Sequence, residues 1–173
     1  EFNRVSAPFI SHIFEILALH QAELLVSSKF SQYLKRPLIN SKFQVYHSGV
    51  ELSNIELFIS IGGDGTLLES ITHIGKSEIP VLGINTGRLG FLATISKEET
   101  DRALQNVFEG AYTLDKRAVL KLETDKDIFG TLNFALNDFT VMKKDSSAMI
   151  TIHTYIDGEF LNSYWADGII VST

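Results

Sequence analysis

Residues 57–75 read Leu-Phe-Ile-Ser-Ile-Gly-Gly-Asp-Gly-Thr-Leu-Leu-Glu-Ser-Ile-Thr-His-Ile-Gly. Positions 57–61 are a short apolar run suited to a buried strand. Gly62, Gly63 and Gly65 break that run. Beyond Thr66, the residues Leu67, Leu68, Ile71 and Ile74 recur at helical spacing, and Gly75 is placed to end the helix. The stretch therefore predicts strand, glycine turn, helix. A turn of this kind lets backbone N–H groups approach a ligand without Cβ clashes, and the helix N-terminus favours an anion there. The pattern suggests a phosphate cradle with a carboxylate, Asp64, set inside it. A carboxylate repels phosphate, so Asp64 points to a site that also holds a metal ion or a substrate hydroxyl. The plain alternative is a tight turn with Asp64 as a helix cap.

Composition bounds the rest. The chain has 173 residues, enough for one large or two small domains, and 45% are hydrophobic, enough to fill a core. A net charge of −6 and a pI of about 5.3 disfavour nucleic acid and an anionic membrane as partners. A small anionic ligand stays compatible, because local backbone donors outweigh net charge. With no cysteine there is no disulfide and no thiolate metal site, which fits the cytoplasm. Histidines 12, 20, 47, 73 and 153 are scattered, so no zinc site is expected and no residue is assigned as a metal ligand. No apolar stretch reaches the ~20 residues of a membrane span, and no signal peptide is visible. The chain opens at Glu1 without Met, and residues 168–173 read as a strand still in progress. A fragment is expected, lacking the first strand and incomplete at its C-terminus.

Towards the N-terminus, Ser6-Ala7-Pro8 starts a helix; Phe9, Ile13, Phe14, Leu17 and Leu24 recur near helical spacing, and the helix is expected to end near Gln21. Residues 22–27 read as a strand, with a continued helix as the alternative. Residues 29–35 predict a short helix halted before Pro37. Residues 43–47 alternate as a half-exposed strand, and 49–56 form a loop or helical turn. On the other side, 77–80 is a loop and 81–85 a second buried strand. Strands separated by helices imply a mostly parallel sheet, whose ligands bind at the strands' carboxyl ends. The turn at Gly62, Gly63 and Gly65 should therefore converge with Asn85, Thr86 and Gly87. Residues 97–110 predict an amphipathic helix with Ser96 as cap, Glu99 in the capping-box position, and Leu104, Val107 and Phe108 buried. From about Tyr112 the period changes to two, over 118–123, 132–142 and 149–156, and Asp157-Gly158 signals a hairpin. The fold class expected is α/β plus all-β: an α/β domain over 1–111 with a parallel sheet, then a β-rich domain over 112–173.

Three further stretches carry chemistry. Residues 85–93, Asn-Thr-Gly-Arg-Leu-Gly-Phe-Leu-Ala, form a glycine-punctuated turn with polar side chains. Phe91 in it is either exposed or packed into the core. Asn137-Asp138 interrupts an apolar run, and two adjacent polar residues are costly to bury unless paired; a bulge or exposed edge is the alternative. Asp167-Gly168 is either functional or an ordinary turn.

The Gly-Gly-Asp-Gly-Thr run resembles a superfamily that contains NAD kinases, diacylglycerol and sphingosine kinases and, more distantly, phosphofructokinases. Residues 85–93 closely resemble the second NAD kinase motif, Asn-x-Gly-x-Leu-Gly-Phe-Leu, where lipid kinases carry a different glycine-rich run. Residues 167–173 resemble the family's Asp-Gly-x-x-x-Ser-Thr, so the likeness covers nearly the whole chain. It departs in three places: Asp138 stands where Glu is usual, Trp165 stands where Arg is common, and the family's continuation past Thr173 is absent.

The resemblance implies an α/β domain joined to a β-rich one with the active site between them. It implies transfer of the γ-phosphoryl group of ATP to the 2′-hydroxyl of the adenosine ribose of NAD, giving NADP. Asp64 is then the catalytic base. Gly62, Gly63 and Gly65, with Thr66, hold nucleotide phosphates. Leu68 and Phe91 flank adenine or ribose, and Asn85, Thr86 and Gly87 wall the crevice. Asn137 with Asp138 contacts the adenosine, and Asp167 lies near the nicotinamide end. Mg²⁺ or another divalent cation is expected to be bound mostly through phosphate and water, and the chain to form a homodimer or homotetramer. The alternatives are a lipid kinase sharing the glycine–aspartate turn, and a non-catalytic NAD(P)-binding fragment.

Overall fold

The computed structural model describes residues 6–34, 42–47, 52, 54–88, 90–126, 128–130, 132–144 and 147–173. The chain divides into two units, Glu1–Asp115 and Lys116–Thr173.

In the first unit, helix α1 (Ser6–Leu19) buries one stripe, Ile10, Ile13, Phe14 and Leu17, at the three-and-four spacing of an amphipathic helix. Strand β1 (Leu25–Ser27) follows, and the Ser27 hydroxyl accepts from the Phe30 N–H (3.2 Å) to start the single-turn helix α2 (Ser28–Ser31). β1 pairs in parallel with β2 (Gln44–Tyr46). A second parallel pair is formed by β3 (Phe58–Gly62) and β4 (Val81–Asn85), linked by helix α3 (Asp64–Ile74). Parallel neighbours require such crossovers. α3 ends where expected, at Gly75 with φ +61°, its N–H returning to Ile71 O (2.9 Å). Helix α4 (Thr100–Phe108) completes the unit. Ile13 and Leu17 pack with Ile84 and Leu104, while Ile10 and Phe14 pack with Val26, so α1 serves two core clusters at once.

Several local expectations shift. α1 stops at Leu19, and Gln21 takes φ +57° in the turn that follows, so residues 22–24 are a connection and only 25–27 are strand. α2 ends at Ser31, short of the expected 35, which lies outside the described residues, as does part of 49–56. The helix expected from 97 begins at Thr100. Ser96 is not the cap: Glu99 accepts from the Ser96 N–H (3.1 Å) and hydroxyl (2.7 Å), but Glu99 N–H goes to Ser96 O (3.3 Å) and not to its hydroxyl, so only half of the capping box forms, around a tighter turn in which Thr100 N–H reaches Lys97 O (3.3 Å) and Glu99 takes the cap position. In α3 the apolar stripe is only half-buried. The fully buried residue is Ser70, satisfied by its own helix through a bond to Leu67 O.

The second unit is β-rich. β5 (Leu120–Lys121) pairs with β6 (Phe134–Ala135), β7 (Asp138–Met142) with β10 (Gly168–Ser172), and β8 (Ile150–Ile156) with β9 (Glu159–Ala166), all antiparallel. Asp157 (φ +52°) and Gly158 (φ +85°) make the hairpin turn, both in the left-handed region that matches strand twist. The run 132–142 splits at Leu136 and Asn137, and 118–123 contributes only two strand residues. The architecture is thus a parallel-sheet α/β region followed by a β-rich one. Among the described residues, no helix is long and apolar enough to cross a membrane.

Candidate functional site

The register of the β3–β4 pair sets Gly62 opposite Asn85, and Thr86 N–H donates to Gly62 O (3.1 Å). The two glycine-marked turns therefore lie side by side at the carboxyl ends of adjacent parallel strands. Asn85 is buried, 4% exposed. Its side chain donates to Arg88 O (2.9 Å) and Ala93 O (3.2 Å) and accepts from Gly87 N–H (2.8 Å). It staples the loop that follows β4 from inside. Ile95 closes that loop by pairing beside Ile84, with Asn85 N–H reaching Ile95 O (2.7 Å).

Asp64 opens α3, and the helix cap is Gly63. The Asp64 carboxylate reaches across to the loop instead: Oδ2 accepts from Phe91 N–H (2.7 Å), and Oδ1 from Leu92 N–H (3.0 Å) and Ala93 N–H (2.9 Å). Three successive amides pointing at one anion hold its pKa below the ordinary aspartate range. The Ala93 amide contributes most, then that of Phe91; partial burial opposes them and Leu92 adds a little. The carboxylate is ionised and weakly basic at neutral pH. Oδ2, with one bond, retains capacity for one more donor.

The glycines divide by cause. A Cβ at Gly90 would overlap the Asp64 carboxylate, and one at Gly62 would overlap the Thr66 side chain. These two are required by packing. Gly63 and Gly65 have no atom within 4 Å of where a Cβ would sit, and neither needs positive φ. The protein's own packing does not call for glycine there, and the space before the first turn of α3 is open. Among the described residues, no hydrogen bond uses the N–H groups of Asp64 or Gly65. Thr66 and Gly87 are exposed, Thr86 and Leu68 half-buried. Phe91 is 92% exposed and is no core residue.

The second-unit candidates take their places on one ladder. Asn137 Nδ2 donates to Asp138 Oδ2 (2.7 Å), and Thr140 donates to Asp138 Oδ1 (3.3 Å), so the polar pair is satisfied at an exposed strand start. Thr173 N–H reaches Asn137 O (3.1 Å). Asp167 lies at the other end of the β7–β10 ladder and pairs with Lys143 Nζ (2.5 Å). Asp138 faces Ser172, and Met142 faces Gly168. The two carboxylates are therefore separated by the length of a five-residue strand. Sequence reasoning did not single out Lys143, nor the amide cradle of 91–93; Gly90 in the Leu-Gly-Phe run was the one available signal for the latter. Among the described residues, no group of three or more His, Asp or Glu is arranged to hold a metal ion.

Residues 7–112 match the family described as the ATP-NAD kinase N-terminal domain. The chain belongs to the NAD kinase family. It is 48% identical to the NAD kinase of Cytophaga hutchinsonii and 43% identical to that of Flavobacterium psychrophilum, in each case over 99% of this chain and 60% of the relative. It thus spans about 60% of the length of these curated NAD kinases. Among solved structures it resembles yeast NADH kinase complexed with NADH, with a TM-score of 0.74 at 23% identity over 95% of this chain and 53% of that one. It also resembles an NAD kinase from Archaeoglobus fulgidus in complex with ATP, with a TM-score of 0.61 at 25% identity over 87% and 59%. The Asp64 clamp and the Asn85 staple both lie inside the matched NAD kinase segment; Asn137, Asp138 and Asp167 lie outside it.

Proposed function

We propose that the intact protein is an NAD kinase, transferring the γ-phosphoryl group of ATP to the 2′-hydroxyl of the adenosine ribose of NAD. The observation that carries this reading is the Asp64 carboxylate, clamped by three amides where two parallel strands end and with one acceptor position left. The relatives' names, NAD kinase, support the substrate and the reaction.

Phosphoryl transfer passes through a loose transition state, so the protein chiefly positions groups and balances charge. The ribose 2′-hydroxyl donates to Asp64 Oδ2. As its oxygen bonds to the γ-phosphorus and the bond to the β-phosphate oxygen breaks, its proton passes to Asp64 late. The low basicity of a clamped carboxylate suits late transfer and orientation, not prior abstraction. The open face at Gly63 and Gly65 admits phosphate to the free amides of the first α3 turn. Phe91, 92% exposed, offers a face for adenine, and Leu68 is assigned with it to flank adenine or ribose. Thr66, Thr86 and Gly87 line the approach, and Asn85 acts by holding the loop. In the β-rich region over 112–173, Asn137 and Asp138 bind adenosine, and Asp167 takes the nicotinamide end. A divalent cation such as Mg²⁺ would supply charge neutralisation at the phosphates and would be held mostly by phosphate oxygens and water. The α/β domain is assigned to 1–111. A cytoplasmic homodimer or homotetramer completes the proposal.

The test is NADP formation from NAD with Mg-ATP, run on this chain and on the chain lengthened at both ends in its own reading frame. NADP from the lengthened chain is the expected result. Phosphorylation of diacylglycerol or a sphingoid base, with none of NAD, would overturn the reading.

A further inference from the structure

The loop that follows β4 is fastened at both ends. At its start, Thr86 N–H holds Gly62 O (3.1 Å), and the Asn85 side chain holds Gly87 N–H (2.8 Å) and Arg88 O (2.9 Å). At its end, the amides of Phe91, Leu92 and Ala93 hold the Asp64 carboxylate, against which Gly90 packs too closely to admit a Cβ. Arg88 sits between these two anchors. Its carbonyl is taken by Asn85, so its backbone is fixed. Its side chain is exposed and, among the described residues, forms no hydrogen bond or ion pair.

That position limits what the guanidinium meets. Arg88 is two residues from Thr86, which touches the Gly62 turn, and two residues from Gly90, which touches Asp64. Two residues of chain span at most about 7 Å, and an extended arginine side chain covers a comparable length. The open space before the first turn of α3, where Gly63 and Gly65 have no atom within 4 Å of a Cβ position, is therefore within its reach. Charge balance favours the same use. Asp64 takes amides as its partners, not the guanidinium. Arg88 is the single Lys or Arg in 62–66 and 85–93, in a chain of net charge −6. A polyphosphate brought against Asp64 adds negative charge beside a carboxylate. Backbone amides oppose it with partial charges only. A guanidinium opposes it with a full charge and with a fork that fits two phosphate oxygens at once.

We propose that Arg88 is a further catalytic residue, binding the terminal phosphate of a nucleoside triphosphate donor through two parallel N–H···O bonds to its non-bridging oxygens. The proposal rests on the kinase reading above, which sets the donor and places the acceptor hydroxyl on Asp64. The hydroxyl oxygen on Asp64 Oδ2 and the phosphorus it attacks must come within bonding distance. The terminal phosphate then lies beside Asp64, and so beside the loop that carries Arg88. As the phosphoryl group passes from the β-phosphate oxygen to the 2′-oxygen, the guanidinium keeps all its protons. It stays on the equatorial oxygens and neutralises the charge spread over them. Asp64 orients the acceptor, Arg88 holds the donor, and Asn85 fastens the loop that sets the one against the other.

The test uses the chain lengthened at both ends in its own reading frame, as wild type, Arg88→Gln and Arg88→Lys. Calorimetry measures Mg-ATP, Mg-ADP and NAD in turn. Arg88→Gln is expected to weaken Mg-ATP roughly tenfold to a hundredfold and to leave Mg-ADP and NAD within about twofold. Arg88→Lys, which keeps the charge and loses the fork, should fall between. In Arg88→Gln, kcat for NADP formation should drop about a hundredfold. The amide shifts of Phe91 and Ala93 should stay in place, because the Arg88 side chain has no part in the clamp. No loss for either nucleotide would make Arg88 a solvated side chain, and equal losses would place it on the inner phosphates; each result overturns the proposal. So would displacement of the Phe91 and Ala93 amides, which would make the residue a support of the loop. If Arg88→Gln weakens Mg-ATP selectively while the wild type makes no NADP, the NAD kinase reading falls and the phosphate contact stands.

Discussion

Asp64 has two jobs in one side chain. It closes the 91–93 loop through three amides and keeps one acceptor position at Oδ2. Asp64→Asn replaces one acceptor oxygen with an amide donor facing N–H groups, so it loosens the loop and, on the proposed NAD kinase reading, removes the base. Turnover of NAD by the intact protein is expected to fall by about 10²–10⁴-fold, with NAD binding retained within a small factor. Undiminished turnover would remove Asp64 from the reaction. The clamp also titrates with a defined sign. The folded carboxylate's pKa is depressed, so the clamp is complete above the ordinary aspartate range and opens as pH falls through the lowered value. Nitrogen and proton shifts of the Phe91 and Ala93 amides should move together with a midpoint below that of an unperturbed aspartate. A midpoint at or above it would contradict the three-bond geometry.

At the scale of elements, hydrophobic period and turn chemistry were the most legible. Gly75 ends α3 and Asp157-Gly158 turns the β8–β9 hairpin because a positive φ suits glycine and short polar side chains. Gly158→Ala places a Cβ at φ +85° and is expected to cost about 1–2 kcal/mol. Differential scanning calorimetry should show the transition lowered by a few degrees. An unchanged transition would mean that the hairpin unfolds outside the main cooperative step. Element ends were less legible. Whether residues 97–99 join α4 depends on Glu99 reaching back to Ser96 and on Leu104 finding its place in the core with Ile13 and Ile84. The second is a long-range contact that no local window contains. The same reason hid the burial of Ser70, which satisfies its hydroxyl within the helix and so tolerates the core.

For the molecule as a whole, a ligand that binds only the folded state stabilises it in proportion to its saturation. If the proposed NAD site is right, NAD at a hundred times its dissociation constant should add about 2.7 kcal/mol to the intact protein and raise its melting temperature by several degrees. An Asp138→Ala variant should need more NAD for the same shift, and equal shifts in both proteins would remove Asp138 from the site. The glycines and the doublet Asn137-Asp138 were visible in sequence because each interrupts an apolar run. Lys143 was not, because a lysine near a turn is ordinary until the β7–β10 register brings Asp167 to it.

Sequence alone determined the strand–turn–helix around Asp64, the change from helical to period-two grammar near Tyr112, and the family resemblance. All of these live in short windows where residue type fixes backbone conformation. Tertiary structure alone decided what Asp64 holds, which glycines are required by a close approach and which leave open space, and, among the described residues, which strands pair with which. Those depend on distances between segments far apart in the chain, such as Asp64 and Phe91 or β7 and β10, and no local preference specifies them.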